Sequence, residues 1–317
     1  MTANTDKHKP DWAGDDLLSR FVNRLIKTKP VYRLMKHQAR QVIIKTAEKN
    51  GVPWRENYQK LSESNIRELY DAIANPEIKY PDYYCVPFHA YDKGNLCWKA
   101  AFEAESATQS MGLRVWKNEP DLTWEKAQDR LRGSFHEVLK SYTVNPVTDI
   151  LDIGCSVGIS TTTLHDFFRH QQNAPINTVG LDLSPYMLAV AKKRDTEHEI
   201  TWVHGNAEKT NFADNSFDLV TLQFTIHELP RYATQAIFRE AKRTLRPEGI
   251  IAIVDNNPSS PVIQNLPPVL FTLMKSTEPW SDDYYTFNVE KALQKIGFDY
   301  QTTVASDPRH RTIIARK

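Results

Sequence analysis

One short segment, ILDIGCSVG at residues 150–158, constrains the fold of this chain more than any other. It reads as an apolar strand that ends in an acid and turns through two glycines, and residues 159–168 predict a helix after it. Such a turn lets a ligand approach bare backbone and presents amide N–H groups to it. The segment is therefore a candidate cofactor site, although the same pattern also occurs as an ordinary strand-to-helix turn.

The identity of the cofactor depends on the middle of this turn. A dinucleotide-binding turn would carry a third glycine, and here Ser156 occupies that position. The turn resembles motif I of class I S-adenosylmethionine-dependent methyltransferases instead. This resemblance implies that Asp152 stands near the amino-acid part of the cofactor and that Gly154 and Gly158 are the flanking glycines. Ser156 departs from the usual central glycine, and its side chain leaves the cofactor less room.

Further elements follow in the order in which that fold supplies them. A second strand ends at Asp182, whose carboxylate can accept hydrogen bonds from both ribose hydroxyls. Met187 matches a residue that often packs on the adenine face, with core filling as the alternative. Asn206 stands where the family usually has an Asp, and its amide oxygen can still accept a bond from the adenine amino group. The cofactor-binding residues that the resemblance implies are Asp152, Gly154, Cys155, Ser156, Gly158, Asp182, Leu183, Met187, Asn206, Ala207 and Gln223.

The second half of the chain alternates strands and helices, as a parallel sheet with helices on both faces does. A buried fourth strand at 216–224, a helix at 232–245, an RPEG turn and a strand at 250–255 resemble ubiquinone/menaquinone-type small-molecule methyltransferases. A helix at 288–296 and two further strands follow, and the resemblance implies that these strands form the antiparallel hairpin that closes the sheet in this family. We therefore predict an α/β fold with a Rossmann-like seven-stranded methyltransferase sheet and an N-terminal all-helical cap.

The pattern changes near residue 145, and this change predicts the domain organisation. We expect a disordered tail over residues 1–15, a helical cap or lid over 16–145 and the S-adenosylmethionine-binding domain over 146–317. The cap is predicted to hold helices at 16–28, 31–50, 64–75, 98–116 and 123–141. No secretory signal or membrane-spanning apolar run is evident, and three cysteines form no disulfide framework or metal-spaced set. We therefore expect a cytoplasmic protein without a metal site.

Positive charge is concentrated near the N-terminus, although the net charge of the whole chain is only +1. Residues 17–47 contain no acid and predict basic amphipathic helices that could contact an anionic membrane surface or an acidic partner. The simpler interpretation is that their apolar stripe packs on the rest of the chain. Nucleic acid is disfavoured, because QFTI at 223–226 replaces the motif with which amine methyltransferases hold a flipped base. The oligomeric state stays open.

An aromatic segment at residues 80–98 predicts the substrate wall, since aromatic bodies with polar tips line small-molecule pockets. The alternative is a structural plug between two layers. Residues 271–285, between the fifth strand and the last helix, are a second segment that we expect to shape specificity. The predicted substrate-binding residues are Tyr83, Tyr84, His89, Tyr91 and Trp98.

Methyl transfer from a sulfonium mainly requires alignment and exclusion of water, and a base is needed only when the acceptor must lose a proton. His227 and Glu228, after the fourth strand, are the candidate catalytic residues, with a structural role as the alternative. We predict an S-adenosyl-L-methionine-dependent enzyme that methylates oxygen, carbon or nitrogen of a small, partly apolar or aromatic molecule. The alternatives are a nucleic-acid or protein methyltransferase and a non-catalytic cofactor-binding subunit of a complex.

Overall fold

The computed structural model describes residues 29–89, 91–143, 146–172, 174–267 and 276–317. Three predicted features therefore lie outside the described residues: the tail over 1–15, the helix over 16–28 and residues 271–275 of the second substrate segment. The side chains of Lys29, Arg33 and Lys36 lie outside them as well. Within the described part of the chain, no helix is long and apolar enough to span a membrane.

Seven strands form one sheet in the order β3-β2-β1-β4-β5-β7-β6. The first five strands pair in parallel, and β7 runs antiparallel between β5 and β6. The predicted sheet and its closing C-terminal hairpin are therefore confirmed. The strands are β1 (Asp149–Ile153), β2 (Asn177–Asp182), β3 (Ile200–His204), β4 (Phe217–Gln223), β5 (Leu245–Asn256), β6 (Asp299–Ala305) and β7 (His310–Arg316).

Helices cover both faces of this sheet, which is why the parallel strands are apolar on both sides. The helices are α1 (Lys29–Lys49), α2 (Trp54–Ser62), α3 (Ile66–Ile73), α4 (Trp98–Val115), α5 (Trp124–Tyr142), α6 (Ile159–Gln172), α7 (Pro185–Arg194), α8 (Arg231–Thr244), α9 (Pro261–Gln264), α10 (Ser281–Tyr285) and α11 (Val289–Ile296). In β1, Leu151 belongs to the core under α8 and α11, while Ile150 belongs to the core under α5 and α6.

The N-terminal region is helical as predicted, from α1 to α5. Helix α2 was not predicted, and it begins directly after Pro53 with the buried Trp54. Helices α3 and α4 pack on α7, where Ile66 and Ala101 meet Val190 in a shared apolar cluster. The helical region therefore packs on the sheet domain and covers the carboxyl ends of the strands.

The RPEG sequence differs from its predicted form. Strand β5 already begins at Leu245, which pairs with Phe217, and the next pair joins Ile250 to Leu219. The intervening residues therefore bulge out of the ladder, and Glu248 has a positive φ of 64°. Pairing of the C-terminal strand holds this bulge, because Lys317 N–H donates to the Gly249 carbonyl at 2.9 Å. The four residues form a bulge inside a strand rather than a turn before it.

Candidate active site

A cavity of about 660 Å³ opens at the carboxyl ends of β1, β2 and β4. Strand order reverses between β1 and β4, and ligands of open α/β sheets bind at such a switch point. Helices α4 and α5 and the aromatic segment form the opposite wall of the cavity. The sheet and the helical region therefore enclose one site between them.

The glycine turn after β1 forms the floor of this cavity. Gly154 has a φ of 72°, and an added Cβ would lie 2.5 Å from the Thr225 side chain, so glycine is required there. Ser156 also has a positive φ, 50°, and its amide donates to Asp182 Oδ2 at 2.8 Å. Gly158 does not line the cavity, because its Cα faces the Trp202 indole.

Asp152 is buried at the centre of the floor and is held by three donors. Thr161 and Thr221 hydroxyls each donate to its carboxylate at 2.6 Å, and Gln223 Nε2 donates at 3.3 Å. Burial raises the pKa of Asp152, and these hydrogen bonds partly offset the rise. Gln223 Oε1 is buried and has no hydrogen-bond partner among the described residues. The floor therefore offers an acceptor to a donor group of a ligand.

Asp182 lies beside it at the end of β2. Its carboxylate accepts bonds from the amides of Ser184 at 2.7 Å and Ser156, yet burial raises its pKa to about 6. Asn206 Oδ1 accepts from the Glu208 amide at 2.9 Å and keeps a second lone pair. The predicted cofactor residues that line the cavity are Asp152, Gly154, Cys155, Ser156, Asp182, Leu183, Met187, Asn206, Ala207 and Gln223.

Arg132, on α5, is a cavity residue that sequence reasoning missed. Its side chain is 4% exposed, and it donates to Gln128 while Nε has no partner among the described residues. Burial lowers the pKa of Arg132 to about 10, and no carboxylate of the described chain forms an ion pair with it. A buried cation of this kind suits an anionic ligand group. The available signal was its spacing of three and seven residues from the buried Phe135 and Leu139, which places all three on one face of the helix.

His227 and Glu228 lie in a 3₁₀ turn, Ile226–Glu228, that follows β4. His227 Nδ1 lies 2.7 Å from Asp255 Oδ1, and its amide donates to the other carboxylate oxygen at 3.1 Å. Burial opposes a charge on His227, but the carboxylates around it outweigh this effect and raise its pKa to about 9. Burial raises the pKa of Glu228 to about 7, while His227 and a bond from Asn95 Nδ2 at 3.2 Å partly offset it.

The aromatic segment supplies the wall opposite this turn. Tyr83 donates to Glu208 at 2.8 Å, and Tyr91 donates to the buried Glu103 at 2.6 Å. The four members of the predicted substrate set that line the cavity are Tyr83, Tyr84, His89 and Tyr91.

Trp98 is not part of this wall. It begins α4, and its ring packs 5.0 Å from Tyr186, 5.5 Å from Tyr70 and 5.4 Å from Phe102. These contacts lie between α3, α4 and α7, because an aromatic residue at the start of this helix fills the gap between neighbouring helices. Trp98 therefore lies outside the cavity lining, unlike the other four predicted substrate-binding residues.

The second predicted substrate segment also reaches the cavity. Ser276, Thr277, Glu278 and Trp280 line it. The two segments are joined, since Trp280 Nε1 donates to the Tyr83 carbonyl at 3.3 Å and the His89 amide donates to the Thr277 carbonyl at 2.9 Å. Residues from both segments therefore form one continuous wall.

Known proteins resemble the part of the chain that forms the cavity floor. Residues 151–253 match a family described as a methyltransferase domain. Demethylmenaquinone methyltransferase of Listeria monocytogenes serotype 4a (strain HCC23) is 33% identical over 124 residues, 38% of this chain and 50% of that protein. The Staphylococcus saprophyticus enzyme of the same name is 33% identical over 129 residues, 40% of this chain and 53% of that protein.

The chain spans about half the length of these curated relatives. Among solved structures, a SAM-dependent methyltransferase from Aquifex aeolicus is similar with a TM-score of 0.46 and 17% identity, covering 65% of this chain and 97% of that one. The family match and the curated relatives confirm the methyltransferase resemblance predicted for the core of this chain.

Proposed function

We propose that this chain, whose core is a class I S-adenosylmethionine-dependent methyltransferase domain, transfers the methyl group to a small, partly apolar or aromatic molecule. One observation carries the proposal. A single cavity joins the acids at the ends of β1 and β2 to the aromatic wall and to His227 and Glu228. Cofactor and acceptor would therefore meet inside one enclosed space.

The residues of the floor fit S-adenosyl-L-methionine. The unpartnered Gln223 Oε1 suits the α-ammonium group, and the unpartnered Nε of Arg132 suits the carboxylate. Asp182 suits the ribose hydroxyls, and Met187, which is buried and lines the cavity, suits the adenine face. When bound, the cofactor supplies a methyl group on a sulfonium, whose leaving group is neutral.

The chain's own residues would then align the acceptor and exclude water. Tyr83, Tyr84, His89 and Tyr91 would bind the acceptor between the two wall segments. His227 and Glu228 remain proposed catalytic residues, because they face the cavity directly after β4. Asp255 holds the His227 ring, and Asn95 holds the Glu228 carboxylate, so both groups are oriented before a substrate arrives.

The substrate class is proposed from the wall and from the printed names of the relatives. Those relatives act on demethylmenaquinone by name, which supports a flat, largely apolar ring compound. The methylated atom is oxygen, carbon or nitrogen. A protein or nucleic-acid substrate and a non-catalytic cofactor-binding subunit are the alternatives, and Ser156 and Asn206 are the departures that favour the latter.

Three broader predictions stay proposals. The domain boundary near residue 145 is one. Peripheral membrane contact through residues 17–47 is another, and residues 17–28 of that stretch lie outside the described part. A cytoplasmic location is the third, supported by free thiols at Cys85, Cys97 and Cys155.

Two variants test the proposal. Asp182→Ala removes the ribose acceptor, so calorimetry should detect no S-adenosylmethionine binding; unchanged affinity would contradict the site assignment.

His227→Gln should slow turnover and leave cofactor affinity intact. Turnover is measured by incubating the chain with methyl-labelled cofactor and a metabolite extract and identifying the labelled product by mass spectrometry. Cofactor binding without any labelled product would instead support the non-catalytic alternative.

A further inference from the structure

Two groups of side chains in the described part of the chain place three metal-ligating atoms within 4.8 Å of one another. One group, named here the cavity cluster, consists of His89, His227 and Glu228. The other consists of His165, Asp166 and Glu199, and Arg169 already neutralises Glu199 through an ion pair. The carboxylate of the second group is therefore already paired with an arginine, whereas no Lys or Arg of the described residues pairs with Glu228 in the cavity cluster.

We infer that the cavity cluster binds a divalent first-row transition-metal ion that holds an oxygen of the methyl acceptor. Two imidazole nitrogens and one carboxylate oxygen form a donor set that suits such ions. His89 Nδ1 and Glu228 Oε1 are 3.8 Å apart, close to the separation of two ligands on one ion. Three protein ligands leave coordination positions open toward the cavity. This inference departs from the expectation of no metal site.

The surrounding contacts already orient each ligand. Metal-bound histidines usually donate their second ring N–H to a carboxylate. His227 meets this condition, because Nδ1 lies 2.7 Å from Asp255 Oδ1 and Nε2 has no hydrogen bond among the described residues. Asn95 Nδ2 binds one oxygen of Glu228, and His89 is fixed through its backbone amide to Thr277.

The charges around the cluster favour a cation. Glu278 Oε1 lies 3.9 Å from His89 Nε2, so three carboxylates, those of Asp255, Glu228 and Glu278, converge on the two imidazoles. Within the described ranges, no Lys or Arg forms an ion pair with any of these three acids. A metal ion would compensate this concentration of negative charge, of which the Asp255 carboxylate is buried away from solvent.

The ion defines a substrate class, and this step rests on the proposed function. A phenol or enol oxygen bound to the ion loses its proton to water more readily, because the cation stabilises the oxyanion. A lone pair of that oxygen then forms the new bond to the methyl carbon. The bond from carbon to sulfur breaks, and its electron pair remains on sulfur. The inferred acceptor is therefore a hydroxylated ring compound, and the methylated atom is oxygen.

The test is a titration of the full chain with Mn²⁺ alone, after chelator treatment and dialysis. Bound Mn²⁺ is measured from the loss of the free-ion electron paramagnetic resonance signal. We expect one equivalent per chain. Glu228→Gln, or His89→Gln on its loop, should weaken binding roughly tenfold or more. The matched control is Asp166→Asn, which removes a ligand from the second group and should leave the affinity unchanged.

Three results would overturn the inference: no stoichiometric binding, full binding by both cavity-cluster variants, or loss of binding in the Asp166 variant. Circular dichroism of each variant checks that it folds, and two cavity-cluster variants are available should one fail. Cofactor calorimetry on the same metal-free chain separates the hypotheses. Cofactor binding without Mn²⁺ binding rejects the metal alone, whereas Mn²⁺ binding without cofactor binding rejects the proposed function.

Discussion

Asp182 combines a buried carboxylate with a pKa raised to about 6, which links cofactor binding to pH. Ribose hydroxyls donate to the ionised form, so binding favours the carboxylate. Affinity is therefore nearly complete at about pH 7 and is lost as the pH falls through the pKa of about 6 that Asp182 has in the free chain. We expect cofactor affinity to weaken about tenfold between pH 7 and pH 5. Calorimetry at several pH values measures this.

The matched control for that pH dependence is Asp182→Asn. It cannot ionise, so its weaker cofactor affinity should not vary over the same pH range. A wild-type affinity that is equal at pH 5 and pH 7 would contradict the role of the Asp182 carboxylate.

Ser156 stands where the methyltransferase family that this turn resembles has a glycine, and its positive φ of 50° is a strained conformation for a residue with a side chain. A left-handed backbone costs a residue with a side chain roughly 1–2 kcal/mol. Glycine removes this strain, but its greater conformational freedom in the unfolded state offsets part of the gain. Ser156→Gly should therefore stabilise the chain by about 0.5–1 kcal/mol in urea unfolding. Ser156→Ala keeps the strain and should not stabilise; an equal gain from alanine would reject this explanation.

Some site residues could be predicted from sequence and others could not, for a physical reason. Asp152, Asp182 and Gln223 come together because parallel strands end at one edge, so their order along the chain fixes their position. His89 and His227 lie far apart in sequence on two loops. Their proximity depends on how the aromatic segment crosses the sheet, which no local pattern encodes.

At the scale of elements, a partly buried ion pair anchors α1 on α4. Arg40 Nε donates to Glu103 at 3.2 Å, and Glu103 is 1% exposed while Arg40 is 25% exposed. Arg40→Met would leave the acid buried with Tyr91 as its remaining donor. Losing one partner of a fully buried pair costs about 3–5 kcal/mol, and the exposure of Arg40 reduces this cost. We therefore expect the Arg40→Met variant to lose about 2 kcal/mol of its free energy of unfolding, measured by chemical unfolding.

An exposed ion pair between the end of α1 and the start of α2 supplies the control. Arg55 pairs with Glu48, with side-chain exposures of 55% and 29%. Arg55→Met should cost less than about 0.5 kcal/mol, because solvent already screens that pair. Equal losses in the two variants would show that burial of Glu103 does not set the cost.

The same scale shows which elements a sequence can predict. The strands of the sheet were predictable because burial on both faces requires continuous apolar runs. The bulge at Glu248 was not, since the antiparallel pairing of β7 beside β5 decides whether those residues turn away or stay in the strand. Helix α2 was missed because its anchor Trp54 belongs to an apolar cluster on which residues distant in sequence, Leu113 and Trp124, pack.

At the scale of the whole molecule, the helical region joins the sheet domain through an interface that contains His136. Its ring stacks on Phe167 of α6 at 4.8 Å, and its Nε2 is buried without a partner among the described residues. Burial, with a contribution from the Arg132 charge, lowers the pKa of His136 to about 4. The unfolded chain therefore binds a proton between pH 6.5 and pH 4 that the folded chain does not.

Stability from this group is complete above pH 6.5 and is lost as the pH falls toward 4. Between pH 7.5 and pH 5, the folded chain should lose about 2 kcal/mol through His136 alone. His136→Leu removes the titrating ring. Between pH 7.5 and pH 5, the loss in free energy of unfolding should therefore be about 2 kcal/mol smaller for this variant than for the unmodified chain. Urea unfolding at both pH values measures the difference.

The control is His198→Asn, at an exposed position between α7 and β3 whose positive φ of 55° asparagine tolerates. This variant should keep the full acid sensitivity, and if it abolished that sensitivity the interface would not be its origin.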